Sequence, residues 1–271
     1  MTNSNPIGIL GCGWLGQALA INLISSNHQV KGTTTNLNKL GNLTELGIEA
    51  YQIDLKPESI KGNIKDFLDK LEVLIIAIPP QFKNQNNNLF KSLQLLFTQY
   101  DLSKIKKLIY ISSTGVFADG EDSIYDENSQ PNHKSERGKF LLKLEQLIQA
   151  QNQVKHACIL RYAGLIEHNG RHPIHFLSGK SNVKNPQAPV NLIERKDAVD
   201  LLLKIIKSKE ILKVYHGVNP SHPKRYDYYT EKASKLKLQK PNFDYSEKSK
   251  GKIILSDLTQ KSLNFRYKMG I

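Results

Sequence analysis

The residues of this chain best placed to do chemistry begin with three glycines. Gly11-Cys12-Gly13-Trp14-Leu15-Gly16 has the spacing G-x-G-x-x-G. It follows a short apolar run, residues 7–10, and opens a segment of helical character. In that context each glycine has its own task. Gly11 permits a tight turn, Gly13 lets the main chain approach a pyrophosphate, and Gly16 lets the helix lie close to the strand. The helix start offers unpaired N–H groups and partial positive charge to phosphates. The spacing predicts a dinucleotide site at Gly11, Gly13, Trp14, Leu15 and Gly16, with an ordinary strand-to-helix turn as the alternative.

About twenty residues on, an Asp or Glu would grip the ribose 2′-hydroxyl of NAD. This chain has Thr33-Thr34-Thr35-Asn36 there and no acid. A carboxylate would repel a 2′-phosphate, whereas hydroxyls and an amide can donate to one. The reading is therefore NADP in preference to NAD, with Thr34 and Thr35 as contacts and Lys39 as the nearby cation in place of an Arg. Asp54 follows a short apolar run and suits either the adenine amino group or a turn at the strand end. Ala77-Ile78-Pro79-Pro80 ends a strongly apolar segment. Its main chain should lie along the cofactor, and its prolines remove donors and stiffen that edge.

The elements needed to position these residues can be read from the same chain. Apolar runs at residues 7–10, 29–33, 50–53, 72–78, 107–111 and 157–161 read as strands. Residues 14–24, 88–100, 138–149 and 197–207 carry helical periodicity. Such alternation implies an α/β fold, a doubly wound parallel sheet of Rossmann type covered on both faces. The expected organisation is a dinucleotide-binding core over 1–165. Residues 166–271 should hold one core helix, 197–207, and a small C-terminal substrate lobe. Residues 167–189 read as loop-rich.

Composition narrows the class. The 271 residues are 39% hydrophobic, enough for a substantial core, and carry a formal charge of +13. The lysines are scattered from Lys31 to Lys268, which reads as solvated surface and not as a nucleic-acid footprint. Cys12 and Cys158 cannot build a disulfide framework, which suits a cytoplasmic setting. The N-terminal apolar run has no basic residue before it and is broken by glycines, so it is not read as a signal peptide. No uninterrupted apolar run is long enough to span a membrane. Metal spacing of the HExxH kind, a P-loop and a GxSxG elbow are all missing from the sequence, and no metal is expected.

The order of motifs resembles a family. Gly11–Gly16, Ala77-Ile78-Pro79-Pro80, Tyr110-Ile111-Ser112-Ser113-Thr114-Gly115-Val116-Phe117 and Leu160-Arg161-Tyr162-Ala163-Gly164 are similar to the extended short-chain dehydrogenases/reductases. More narrowly, they look like the atypical bacterial NAD-dependent epimerase/dehydratase-like proteins. The resemblance spans roughly residues 6–205, with Asn191-Leu192-Ile193 and Asp197-Ala198-Val199 fitting its later part.

The resemblance implies a hydride-handling site. A Ser or Thr would hold the substrate oxygen, and a Tyr would act as acid/base with a Lys four residues on to lower its pKa. Ser113 matches the serine. The Tyr–Lys pair is missing: one register places Arg137 and Leu141 there, and a shifted one places Ser135 and Lys139. Tyr125, Lys139 and His172 are the substitute acid/base candidates, each with an ordinary structural alternative. Thr114, Arg171 and His172 are candidate substrate contacts. Glu194 stands where the family often has His. The expected function is an NAD(P)-dependent oxidoreductase or epimerase/dehydratase-like protein acting on a small polar metabolite, a nucleotide-sugar among the candidates. The alternative is a non-catalytic NADP-binding sensor or interaction protein.

Overall fold

The computed structural model describes residues 5–80 and 88–271. Seven strands form the central parallel sheet: β1 Ile7–Leu10, β2 Val30–Thr34, β3 Glu49–Gln52, β4 Val73–Ile76, β5 Lys107–Ser113, β6 His156–Tyr162 and β7 Val214–Gly217. Their order is β7-β6-β5-β4-β1-β2-β3. The chain thus builds outward from β1 to β3 and then returns to the other side of β1. Ile7 faces Val30 in one parallel pairing and Val73 in the other. That reversal, between β1 and β4, is where open α/β sheets leave a crevice beyond the strand ends. The strands β1 (IGIL) and β4 (VLII) are near-continuous apolar runs because both their faces are covered.

Nine helices of α type are found among the described residues: α1 Trp14–Ser25, α2 Leu40–Glu45, α3 Ile64–Leu68, α4 Leu89–Gln99, α5 Glu136–Gln149, α6 Ile174–Leu177, α7 Arg195–Lys207, α8 Arg225–Lys235 and α9 Asp257–Leu263. None is long and apolar enough to cross a membrane. Contacts divide the chain into two compact units. Unit 1 comprises the described residues up to Ser112 with Phe140–Leu160 and Val199–Val214; unit 2 comprises Ser113–Lys139, Arg161–Ala198 and Tyr215–Ile271. The two interleave along the chain, where the sequence reading placed one boundary at residue 165.

The core of unit 1 packs Leu74 and Ile76 of β4 and Leu108 and Tyr110 of β5 against Leu93, Leu96 and Phe97 of α4 and Leu144 and Ile148 of α5. Two lysines close helix ends there. Lys31 Nζ donates to the carbonyls of Asp66 and Asp69, 2.5 and 3.0 Å away, at the end of α3. Lys107 Nζ donates to the carbonyls of Ile206 and Ser208 at the end of α7. Each cation meets the negative end of a helix dipole and its orphan carbonyls. Unit 2 has its own core, built from Ile166, Ile174, Val190 and Leu192 with Tyr228, Tyr229 and Ala233 of α8.

Several short elements lie outside the sequence expectation, among them α2, α3, α6 and α9; β7 and α8 show why. β7 was not expected, since it spans four residues, Val-Tyr-His-Gly, of which one is a histidine. α8 falls in the Tyr- and Lys-rich tail; its apolar contacts come from Tyr228, Tyr229 and Ala233, a pattern hidden by polar composition.

Candidate functional site

The glycine turn is held on both sides. The main-chain N–H of Gly11 donates to Thr33 Oγ1 at 2.9 Å, and that of Cys12 donates to the Thr33 carbonyl at 2.7 Å. The turn is thus fastened to β2. Gly11 has φ +95°, and a Cβ there would lie 2.8 Å from Ile78 Cγ1 and 3.1 Å from the main chain of Ala77. A side chain is excluded by both conformation and space. At Gly16 a Cβ would meet the Gly11 carbonyl oxygen at 3.1 Å and Ile9 at 3.2 Å, so α1 lies directly against the turn.

Gly13 is different: nothing lies within 4 Å of where its Cβ would be. It is the N-cap of α1, with φ −86°, and no side chain caps the helix. No acid occupies the first turn of α1. The turn therefore presents open space in front of an uncapped helix start. This is the arrangement that receives a phosphate.

That space belongs to a cavity of about 670 Å³ in unit 1. Gly11 and Gly13 lie on one side, with Thr34, Thr35 and Lys39 beyond β2, Asp54 beyond β3, and Ala77, Ile78 and Pro79 beyond β4. Four strand ends thus converge on the reversal of strand order. Thr34 Oγ1 accepts from the Asn36 N–H at 3.2 Å, and Asn36 Oδ1 accepts from the Asn38 N–H at 2.9 Å. Asn36 is thereby committed to starting a 3₁₀ turn, Leu37–Lys39, that carries exposed Lys39 to the rim. Asp54 pairs with Lys56 at 3.4 Å, both half exposed. Sequence reading missed Lys56, Pro57, Glu58 and Ser92, which also line this cavity. They come from the Asp54–Lys61 hairpin and from α4, and no motif marks them.

Trp14 is half-buried, whereas Leu15 is buried under the helix and contributes packing. Cys12 is buried, and desolvation pushes its thiol up to about 12, so it stays protonated and inert near neutral pH.

The candidates for substrate chemistry lie in unit 2. Ser113 ends β5, and its Oγ accepts from the Gly115 N–H at 3.1 Å; Thr114 is buried beside it. Neighbouring Ser112, in unit 1, donates to buried Glu145 Oε1 at 2.6 Å. Tyr125 is tied into its own loop: its hydroxyl meets the Ala118 carbonyl at 3.2 Å and Asn132 Nδ2 at 2.9 Å, and its ring stacks on Phe117. Lys139 is exposed and pairs with Glu136 one helical turn away at 3.0 Å. That is a solvated surface pair.

His172 is engaged by its own neighbours. It is buried, Nε2 meets the Tyr228 hydroxyl at 2.8 Å, and Nδ1 accepts from the Ile174 N–H at 3.1 Å. Both nitrogens are taken. Burial, helped by the charge of Lys232, lowers its pKa to about 4, so the ring is neutral. Arg171 beside it is exposed. Glu194 is buried in the short strand Leu192–Glu194, and its carboxylate accepts from the Lys196 N–H, starting α7. Among the described residues no group of three His, Cys, Asp or Glu could hold a metal.

Residues 6–94 match a family model described as NADP oxidoreductase, coenzyme F420-dependent. The match spans the turn, the β2 end, Asp54 and Ala77–Pro79, and covers less than half of the chain. Over 266 residues the chain is 29% identical to protein YeeZ of Escherichia coli K12, covering 96% of this chain and 95% of that one. Among solved structures, it matches UDP-glucuronic acid 4-epimerase from Bacillus cereus, determined in complex with NAD. The TM-score is 0.79 at 16% identity, covering 98% of this chain and 92% of that one. A functionally unknown conserved protein from Silicibacter pomeroyi matches with TM-score 0.76 at 20% identity, covering 98% and 94%. At those identities the likeness is one of fold.

Proposed function

We propose that unit 1 binds a nicotinamide dinucleotide, NADP in preference to NAD, along the carboxyl ends of its strands. The observation that carries this reading is the open space before Gly13 at an uncapped helix start, inside a cavity of about 670 Å³. Gly11, Gly13 and the start of α1 would hold the pyrophosphate. Thr35 and Lys39 would meet the 2′-phosphate, with no carboxylate at the end of β2 to oppose it. Ala77, Ile78 and Pro79 would lie along the nicotinamide half. The matched family model describes an NADP oxidoreductase, and the B. cereus structure holds NAD, which supports a cofactor of this class.

When bound, such a cofactor supplies or accepts a hydride. The protein is accordingly read as an extended short-chain dehydrogenase/reductase-like oxidoreductase or epimerase, acting in the cytoplasm on a small polar metabolite of the nucleotide-sugar kind. Ser113 is the residue assigned to a substrate oxygen, with Thr114 and Arg171 as further contacts. A second reading, an NADP-binding sensor without turnover, is favoured by one set of observations. Tyr125 and His172 are fully engaged by their neighbours, and Lys139 stands in solvent.

The binding claim is tested by Gly13→Asp, whose carboxylate would face the pyrophosphate. NADPH binding should vanish while the thermal melt stays close to the parent's; unchanged affinity would show that the turn is not the site. Turnover is tested by following NADPH absorbance in the presence of nucleotide-sugars and their keto forms, and by resolving the sugar products chromatographically, because an epimerase regenerates its cofactor with no net absorbance change. Binding without any turnover would select the sensor reading.

A further inference from the structure

Unit 2 carries a second concave site, of about 320 Å³, between α6 and the start of α8. This lies at the lower end of the ~300–1,000 Å³ range of small-molecule sites. Its walls are Pro173, Leu177 and Val190, and Tyr229 and Arg225 come from α8. Phe176 also lines it, with 75% of its surface exposed.

Arg225 is the charged group of this site; Asn191, which also lines it, has its amide bonded to the Lys252 carbonyl and the Ile254 N–H. Its main-chain N–H donates to the Ala188 carbonyl at 2.9 Å, and its guanidinium lies 5.9 Å from the Tyr229 ring centre. The main chain is thus anchored, and the side chain lies against a ring. Yet among the described residues no acceptor engages the guanidinium, and Nε is buried with no hydrogen-bond partner. A buried donor of a cationic group without an acceptor is costly. The usual remedy is a carboxylate accepting two parallel bonds from Nε and a terminal nitrogen. α8 adds the partial positive charge of an N-terminus that no side chain caps, although Asp227 lies in its first turn.

We infer that this site binds a small organic carboxylate with a flat apolar body. The carboxylate takes the Arg225 fork, and the apolar body lies between Phe176 and the Pro173, Leu177 and Val190 wall. The inference stands on unit 2 alone and does not depend on the dinucleotide reading.

The test uses the full chain, with benzoate as the probe and benzamide as its uncharged counterpart, followed by ligand-observed NMR. Benzoate should bind saturably at millimolar concentration, and benzamide at least tenfold more weakly. Arg225→Gln should weaken benzoate at least tenfold, and Phe176→Ala, at an exposed rim position, should weaken it severalfold with an unchanged melt. NADPH should not displace the probe. Several results would overturn the inference. These are absence of saturable binding, equal affinity for benzamide, full affinity in Phe176→Ala or in a folded Arg225→Gln, and displacement by NADPH. Displacement by inorganic phosphate as effective as that by a second aryl carboxylate would mark a general anion site. A free peptide carboxyl terminus that binds where benzoate does not would mark a protein-docking site.

Discussion

Two glycines two positions apart should respond oppositely to the same added methyl group. At Gly11, alanine must adopt φ +95° and place its Cβ 2.8 Å from Ile78 and 3.1 Å from the main chain of Ala77. The backbone conformation costs a non-glycine residue about 1–2 kcal/mol. Overpacking against a fixed strand end adds about 1–3 kcal/mol. Gly11→Ala should therefore destabilise unit 1 by roughly 2–5 kcal/mol.

At Gly13, φ −86° and ψ −155° suit alanine, and no atom lies within 4 Å of the new methyl. Losing glycine at an N-cap and restricting the unfolded chain nearly cancel, leaving a stability change within about 0.5 kcal/mol. The methyl would nonetheless stand where the pyrophosphate must approach. NADPH affinity should fall at least tenfold, about 1.4 kcal/mol. Urea unfolding measures the first quantity. The second is read from quenching of Trp14, the one tryptophan of the chain, which sits on the turn itself. Full NADPH affinity in Gly13→Ala, or parental stability in Gly11→Ala, would refute the reasoning.

Other outcomes follow from the same structure. Lys39→Ala should weaken NADPH at least tenfold and leave NADH nearly unchanged, because only the former carries the 2′-phosphate; comparative titrations measure the ratio. Lys107→Met should cost about 1–3 kcal/mol in urea unfolding, since it strips the last carbonyls of α7 of a charged donor. Buried His172 and His216 both have pKa values lowered to about 4, chiefly by burial, against an ordinary 6.5. Each must be neutral in the folded state. Their contribution is complete above pH 6.5 and is lost progressively as pH falls towards 4. Urea stability should therefore decline by roughly 3 kcal/mol for each of the two histidines across that interval, and His216→Gln should remove its share of the decline.

The sequence showed most of unit 1 because its signals are local. The apolar runs of β1, β4 and β5 and the glycine spacing need no distant partner to be read. The 3.6-residue period of α4 and α5 is equally self-contained. β7 and α8 were illegible for opposite reasons: the first is too short to show a pattern, and the second buries tyrosines within a polar composition. The site divides in the same way. Gly11, Gly13, Thr34, Thr35 and Ala77 to Pro79 were visible as motif positions at strand ends. Lys56 and Ser92 reach the cavity only through tertiary folding. His172 and Tyr125 looked available because their partners are not apparent from the sequence: Tyr228 lies 56 residues away in the chain, and Asn132 in a loop without regular pattern.

Unit 1 is proposed to hold a nicotinamide dinucleotide at the glycine turn. Calorimetric titration of the unmodified protein with NADPH, and separately with NADH, tests it most directly. NADPH should bind saturably and one-to-one, with NADH weaker. No saturable heat from either nucleotide would contradict it.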